Sequence, residues 1–236
     1  MKTIAFKKLP ELDYAGREAV NTLCTNLTFT GGKYKKIMVT SVSNSEGKTF
    51  LSMQMLRTLS ELGKRVVLVD ADLRRSTIDA TYRVQYADKE KLGITHYLAR
   101  KCEVEDIFYS TDLRRAYYVP IGFAVSNSLT LLNSPRFAAL LDQISQNVDY
   151  ILLDVPPVGM IVDGLEIARS CDGALLVLGY NKVRRREIVD VRSQIERAGC
   201  DVIGTVINSV PMNIYSSKNY MGRLHYSGYQ PEYTKL

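Results

Sequence analysis

The chain has 236 residues, 46% hydrophobic and 24% charged, a balance that suits one large α/β domain with or without a tail. Its net charge of +6 is compatible with an acidic ligand, an anionic membrane surface or nucleic acid, and does not choose among them. Four cysteines without a Cys-x-x-Cys pair, and two histidines only, argue against a zinc site or a disulfide framework and for a reduced, cytoplasmic setting. The start of the chain lacks a signal-peptide core, and no apolar run approaches the ~18 residues of a membrane span, so membrane attachment is expected only through a partner.

In chain order, residues 12–29 carry Val20, Leu23 and Leu27 at helical spacing. Lys36–Ser41 reads as a short buried strand that ends in a polar loop. Phe50–Leu62 is periodic for a helix, with Gly63 as its stop. Val66–Val69 is a second apolar strand. Residues 78–115 read as polar and irregular with one helix near 93–100, and Tyr117–Pro120 as another strand. Pro135 opens a helix to about Gln146, since proline is tolerated in a first turn. Strands at Tyr150–Leu153, Ala174–Leu178 and Val202–Ile207 alternate with helices at Gly164–Arg169 and Arg184–Ala198. This alternation predicts a doubly wound, mainly parallel sheet covered on both faces. The apolar pattern stops near Pro211, so the expected division is a domain over 1–209 and a flexible tail over 210–236.

Between the first strand and its helix stands Thr40-Ser41-Val42-Ser43-Asn44-Ser45-Glu46-Gly47-Lys48-Thr49. A strand–loop–helix ending in Gly-Lys-Thr is the setting of a phosphate loop. Backbone amides and the helix N-terminus face the anion, Lys48 reaches the β/γ phosphates, and Thr49 offers its hydroxyl to Mg²⁺. The first glycine of the usual pattern is Val42 here, which makes the motif weak by itself. Further on, Val66-Val67-Leu68-Val69 runs into Asp70-Ala71-Asp72-Leu73-Arg74, and Tyr150-Ile151-Leu152-Leu153 runs into Asp154. Carboxylates at i and i+2 share one side of an extended chain, and the carboxyl ends of parallel strands are where ligands bind. One such aspartate is an ordinary turn residue; three in this order, beside a phosphate loop, point to a metal–nucleotide site.

This combination resembles the deviant Walker ATPases, and among them the bacterial protein-tyrosine kinases of capsule and exopolysaccharide synthesis. Asp70-Ala71-Asp72-Leu73-Arg74 matches that family's second acidic motif, and Leu131-Leu132-Asn133-Ser134-Pro135-Arg136-Phe137 is similar to its Leu-Leu-x-Ser-x-Arg-Phe. Asp149-Tyr150 and Gly204-Thr205-Val206-Ile207-Asn208 extend the likeness over nearly the whole chain. The partition ATPases instead carry an early lysine in the loop, where this chain has Ser43. The resemblance implies the separate cytoplasmic-chain form, brought to the inner face of the membrane by an activating membrane protein.

It also implies roles. The loop residues Asn44, Ser45, Glu46, Gly47 and Lys48 hold the ATP phosphates, and Thr49 binds Mg²⁺ directly. Asp72 and Asp154 hold the metal through water, and Asp70 accepts the tyrosine proton, though the last role could exchange between Asp70 and Asp72. Asn208 is an adenine contact or a plain strand-end turn residue. The tail contains Tyr215, Tyr220, Tyr226, Tyr229 and Tyr233, five tyrosines where the chain's own average places about two. They correspond to the family's autophosphorylation cluster. Sugar-modifying enzymes and a tyrosine phosphatase are the further partners implied.

Two departures stand out. The family loop reads Pro-Gly-Glu-Gly-Lys, whereas this chain has Asn44-Ser45-Glu46-Gly47-Lys48, so serine either strains a turn built for positive φ or is tolerated there. The family's ring-forming Glu-x-x-Arg-x-x-Arg falls on Glu18, Asn21 and Cys24, which predicts weak self-association. Lys182-Val183-Arg184-Arg185-Arg186 is a solvated helix start or a docking patch for anions. No DNA-binding helix pair or basic–aromatic interleaving is visible, and nucleic acid is set aside. The rival functions are an ATP-driven positioning switch and a weakly active, kinase-like scaffold.

Overall fold

The computed structural model describes residues 1–88 and 90–211. The tail tyrosines lie outside the described residues. In chain order the elements are β1 (Ile4–Phe6), α1 (Tyr14–Thr28), β2 (Lys36–Ser41), α2 (Lys48–Glu61), β3 (Val66–Asp70), α3 (Ile78–Tyr82) and β4 (Val84–Tyr86). Then follow α4 (Ile94–Leu98), α5 (Val104–Ile107), β5 (Tyr109–Ser110), β6 (Ala116–Val119), α6 (Ser128–Leu132) and α7 (Pro135–Ser145). The described part ends with β7 (Tyr150–Asp154), α8 (Asp163–Ala168), β8 (Gly173–Gly179), α9 (Arg185–Arg197) and β9 (Asp201–Asn208).

Among the described residues seven strands form one sheet in the order β5-β6-β3-β7-β2-β8-β9, parallel throughout except for β5, which runs antiparallel to β6. The strand side chains divide between two cores with the period of two that a pleated strand imposes. Ile37 and Val39 face one core and Met38 the other; Val66 and Leu68 face the first, Val67 and Val69 the second. α1, α2 and α3 cover the first face, and α4 to α9 supply the second. Because both faces are covered, β2, β3, β7 and β8 are almost entirely buried and read as continuous apolar runs.

Local chemistry fixes the helix ends. The Asp13 carboxylate accepts the Gly16 amide at 2.8 Å and starts α1. Ser134 caps α7, with Pro135 in the first turn where a missing N–H costs nothing. α2 begins at Lys48 rather than Phe50, because the helix grows directly out of the phosphate loop. Residues 78–115 hold more structure than the polar reading predicts: α3, β4, α5 and β5 join the expected α4. β1 and β4 form a separate antiparallel pair, Ile4 opposite Tyr86. Strands of two or three residues show no periodicity; only their partners define them. Cys24, aligned with a ring-forming arginine of the family, is fully buried against the first core, and burial pushes its thiol up to about 12.

Pairing also places the site. β7 lies between β2 and β3, and its register sets Asp154 directly beside Asp70, with Val39 on its other flank. The loop after β2 thus opens next to both acidic strand ends.

Candidate functional site

The loop between β2 and α2 is shaped by its own side chains. The Glu46 carboxylate turns inward, 1% exposed, and accepts the amides of Val42 at 2.9 Å and Ser43 at 3.0 Å. Only the Glu46 backbone is therefore left to meet an anion; its carboxylate is a brace. Gly47 has φ 94°, and a Cβ there would stand 1.9 Å from the Asn208 amide nitrogen, so glycine is required twice over. Asn208 Nδ2 donates to the Glu46 carbonyl at 3.0 Å, which places the end of β9 against the loop. Ser45 takes φ 59°. The left-handed turn of the family pattern is thus kept with serine in place of glycine.

Beside the loop lies a cleft of about 960 Å³, of the size that takes a nucleotide. Lys48, Thr49, Asp72 and Asp154 line it together, along with Asn44 and Ser45. Thr49 Oγ1 donates to Asp154 Oδ2 at 2.6 Å, tying the start of α2 to the end of β7. Asp154 is 3% exposed, and its Oδ1 has no hydrogen-bond partner. Burial raises the Asp154 carboxyl to about 6, against the Lys48 charge and the Thr49 hydrogen bond, with the Asp72 charge raising it further. Asp72 is half-buried and accepts the Arg75 amide at 3.0 Å.

Asp70 sits differently. It is 1% exposed and lies behind the cleft, where Ser76, which does line the cleft, donates its hydroxyl to Asp70 Oδ2. Asp70 Oδ1 is buried without a partner. Burial first, then the Asp154 charge, hold the Asp70 carboxyl well above the usual carboxylate range; the Ser76 hydrogen bond opposes them, and Asp72 and Asp79 add to the rise. Tyr118 OH stands 3.4 Å from Asp70 and 2.9 Å from Asp79 Oδ1, and its single proton goes to the nearer partner. Asp79 also accepts Tyr86 OH at 2.9 Å and pairs with Lys91 at 2.6 Å.

Arg74, the last residue of the acidic motif, does not reach toward the loop. Its Nε and Nη2 donate to Asp163 at 2.8 and 3.1 Å, and Ser128 Oγ donates to the same carboxylate at 2.5 Å. Asp163 and Ser128 are buried and Arg74 is exposed at the cleft, and together they join the loop after β3 to the starts of α8 and α6. Sequence reading misses Ser76, Asp163 and Ser128. Serine six residues after Asp70 carries no motif, and 89 residues separate Arg74 from Asp163.

The oxygen donors suit Mg²⁺: one hydroxyl and two carboxylates, with an unpartnered buried oxygen on Asp154. Among the described residues no group of three or more His, Cys, Asp or Glu side chains stands close enough to hold a bare ion. Mg²⁺ keeps most of its water and leans on few carboxylates, so the set fits.

A family model described as an AAA domain matches residues 34–171. The tyrosine-protein kinase CpsD of Streptococcus agalactiae is 32% identical over 203 residues, covering 86% of this chain and 87% of the relative. CpsD of Streptococcus pneumoniae is 31% identical over 212 residues, 89% of this chain and 91% of that one. Among solved structures, the BceF tyrosine kinase domain superposes with a TM-score of 0.74 at 29% identity, over 83% of this chain and 78% of the other. With a P-loop fold, acidic strand ends meeting in one cleft, and this likeness along most of its length, the chain belongs to the bacterial tyrosine-protein kinase family.

Proposed function

We propose that this kinase transfers the γ-phosphoryl group of MgATP to tyrosine hydroxyls, first on its own Tyr215, Tyr220, Tyr226, Tyr229 and Tyr233, and so regulates capsular or exopolysaccharide synthesis. The observation that carries the reading is the meeting of Lys48, Thr49, Asp72 and Asp154 in one cleft with Asp70 directly behind it.

In this reading the loop amides and Lys48 bind the phosphates, Thr49 holds Mg²⁺, and Asp72 and Asp154 hold its water shell. The ion, when bound, neutralises charge on the phosphoryl oxygens. The acceptor tyrosine takes the place of the Ser76 hydroxyl beside Asp70. Its oxygen forms a bond to the γ-phosphorus, the bond from that phosphorus to the β,γ-bridging oxygen breaks, ADP leaves with the electron pair, and the phenolic proton passes to Asp70. Burial that raises the proton affinity of Asp70 also makes its anion a stronger base where a bound cation would favour ionisation. Asn208 contributes by bracing the loop, which suits either an adenine contact or a structural role.

The tail, taken as a flexible segment after a domain over 1–209, has Lys218, Arg223 and Lys235 against Glu232. Each phosphotyrosine adds about −1.5 to −2 charges, so two reverse the sign of the tail and favour its departure from an acidic site. No helix among the described residues is long and apolar enough to cross a membrane. Recruitment by a membrane-bound activator, weak self-association, and action on sugar-modifying enzymes, with a phosphatase to reverse it, complete the reading.

The test is phosphotyrosine detection on purified protein incubated with MgATP, with and without a cytoplasmic peptide of the membrane partner. Labelling should appear, rise with the peptide, vanish in Lys48→Met and fall to near background when the five tail tyrosines become phenylalanine. Parental labelling of the five-fold variant would place the acceptors elsewhere.

A further inference from the structure

The basic run that opens α9 divides in two. Arg184, Arg185 and Arg186 are exposed, but Lys182 is occupied: its Nζ donates to the Ser45 carbonyl at 3.0 Å. We propose that Lys182 is a positioning residue of the phosphate loop, a strap that holds Ser45 in its left-handed conformation and keeps the loop amides turned toward the phosphates. The proposal rests on the reading of the loop as the nucleotide site.

Four observations carry it. Ser45 has φ 59°, a region that L side chains other than Asn and Asp avoid. It needs support that glycine at the same place does not. Second, the lysine stem lies directly over Gly179: a Cβ there would stand 2.5 Å from Lys182 Cδ and 3.0 Å from Cγ. The absent side chain at Gly179 is what lets the stem cross the end of β8. Third, the turn that carries the lysine is itself tied down. Lys182 N donates to the Gly179 carbonyl at 3.1 Å, and Tyr180 N to the Asn208 carbonyl at 2.9 Å.

Fourth, the next carbonyl in the loop, that of Glu46, is held by Asn208 at 3.0 Å. Two successive carbonyls are thus drawn outward by the ends of β8 and β9. In a trans peptide the N–H points opposite to the C=O. Fixing the carbonyls of Ser45 and Glu46 therefore fixes the amides of Glu46 and Gly47 on the other side, and those are amides a phosphate loop presents. The lysine comes from 137 residues beyond the serine, so no loop motif contains it.

The experiment is calorimetric titration of the full chain with MgADP, on Lys182→Met, Lys182→Arg, Ser45→Gly and the Lys182→Met/Ser45→Gly pair, with Lys48→Met as the control. Lys182→Met should weaken MgADP binding about fivefold to tenfold, as loss of one charge-assisted hydrogen bond allows. Its unfolding midpoint should stay at the parental value because the bond is exposed. Lys182→Arg should restore most of the affinity. In the Ser45→Gly background the lysine should matter less than about twofold, the coupling expected of residues acting as a unit. Parental affinity in Lys182→Met overturns the proposal. So does an equal penalty in both backgrounds, because a lysine acting on phosphate by charge alone is indifferent to residue 45. If Lys48→Met also binds like the parent, the nucleotide-site reading itself is what has failed.

Discussion

Asp163, at the start of α8, and the pair Asp70 and Asp154, at the ends of β3 and β7, are all buried acids, and they are built in opposite ways. Asp163 is 1% exposed, yet both its oxygens are paired by Arg74 and one also by Ser128. Burial tends to raise its carboxyl, but the Arg74 and Ser128 hydrogen bonds and the guanidinium charge outweigh it, and the carboxyl lies below its ordinary range. Asp70 and Asp154 are equally buried, each keeps one oxygen without a partner, and both carboxyls are raised. Polar groups in a folded interior are normally paired, and leaving them unpaired costs stability. The first group serves the fold. The second keeps one oxygen free on each acid, on Asp154 at the cleft and on Asp70 behind it.

The largest effect that would sharpen this contrast is on chemistry. Asp70→Asn should lower tyrosine phosphorylation by at least about 100-fold, the usual contribution of a positioned base, while MgADP affinity stays within about threefold. Parental phosphorylation would transfer the base role to Asp72.

Next in size is the stability of the paired group. Asp163→Ala should destabilise the protein by about 2 kcal/mol, because it leaves the buried Ser128 hydroxyl without its acceptor and opens a gap where a buried carboxylate stood. Differential scanning calorimetry would show this as a fall of about 6 °C. A lowered native carboxyl contributes stability above its unfolded value, near pH 4, and loses it as pH falls through the lowered native value. Part of the parental acid unfolding below about pH 4 should accordingly be missing in Asp163→Asn.

The opposite sign is expected across the cleft. Asp154 is raised to about 6, so the native state holds its proton more tightly than the unfolded chain does. Its penalty is absent below about pH 4, grows to pH 6 and is complete above it. At pH 7.5, without nucleotide, Asp154→Asn should stabilise the fold by about 1–2 kcal/mol, and it should lose Mg²⁺-dependent nucleotide binding. A variant less stable than the parent would erase the distinction between the two groups.

The smallest effect is at Ser76. Its hydrogen bond lowers the Asp70 carboxyl, so Ser76→Ala should raise it and move the acid limb of the kcat/KM profile to higher pH. The rate on the plateau should stay within about threefold. An unmoved limb would mean that Asp70 is not the group titrating in that profile.

Much of this was legible in the chain itself. Apolar runs ending in Asp70 and Asp154 are visible because a strand buried on both faces has no polar alternation to hide it. Gly47-Lys48-Thr49 before a periodic helix marks the loop, and its required glycine is a local steric demand. The sheet, its parallel sense and the nucleotide class follow from those local patterns. Tertiary structure alone decided which acids are neighbours. β7 inserts between β2 and β3, and only that pairing sets Asp70 beside Asp154. It alone sent Arg74 to Asp163 and away from the loop, turned the Glu46 carboxylate into a brace, and put Asp70 behind Ser76. The same holds for the β1–β4 pair and for Lys182 on the Ser45 carbonyl. Periodicity records which side of an element is buried, whereas a hydrogen bond between residues a hundred positions apart exists only once the elements have packed.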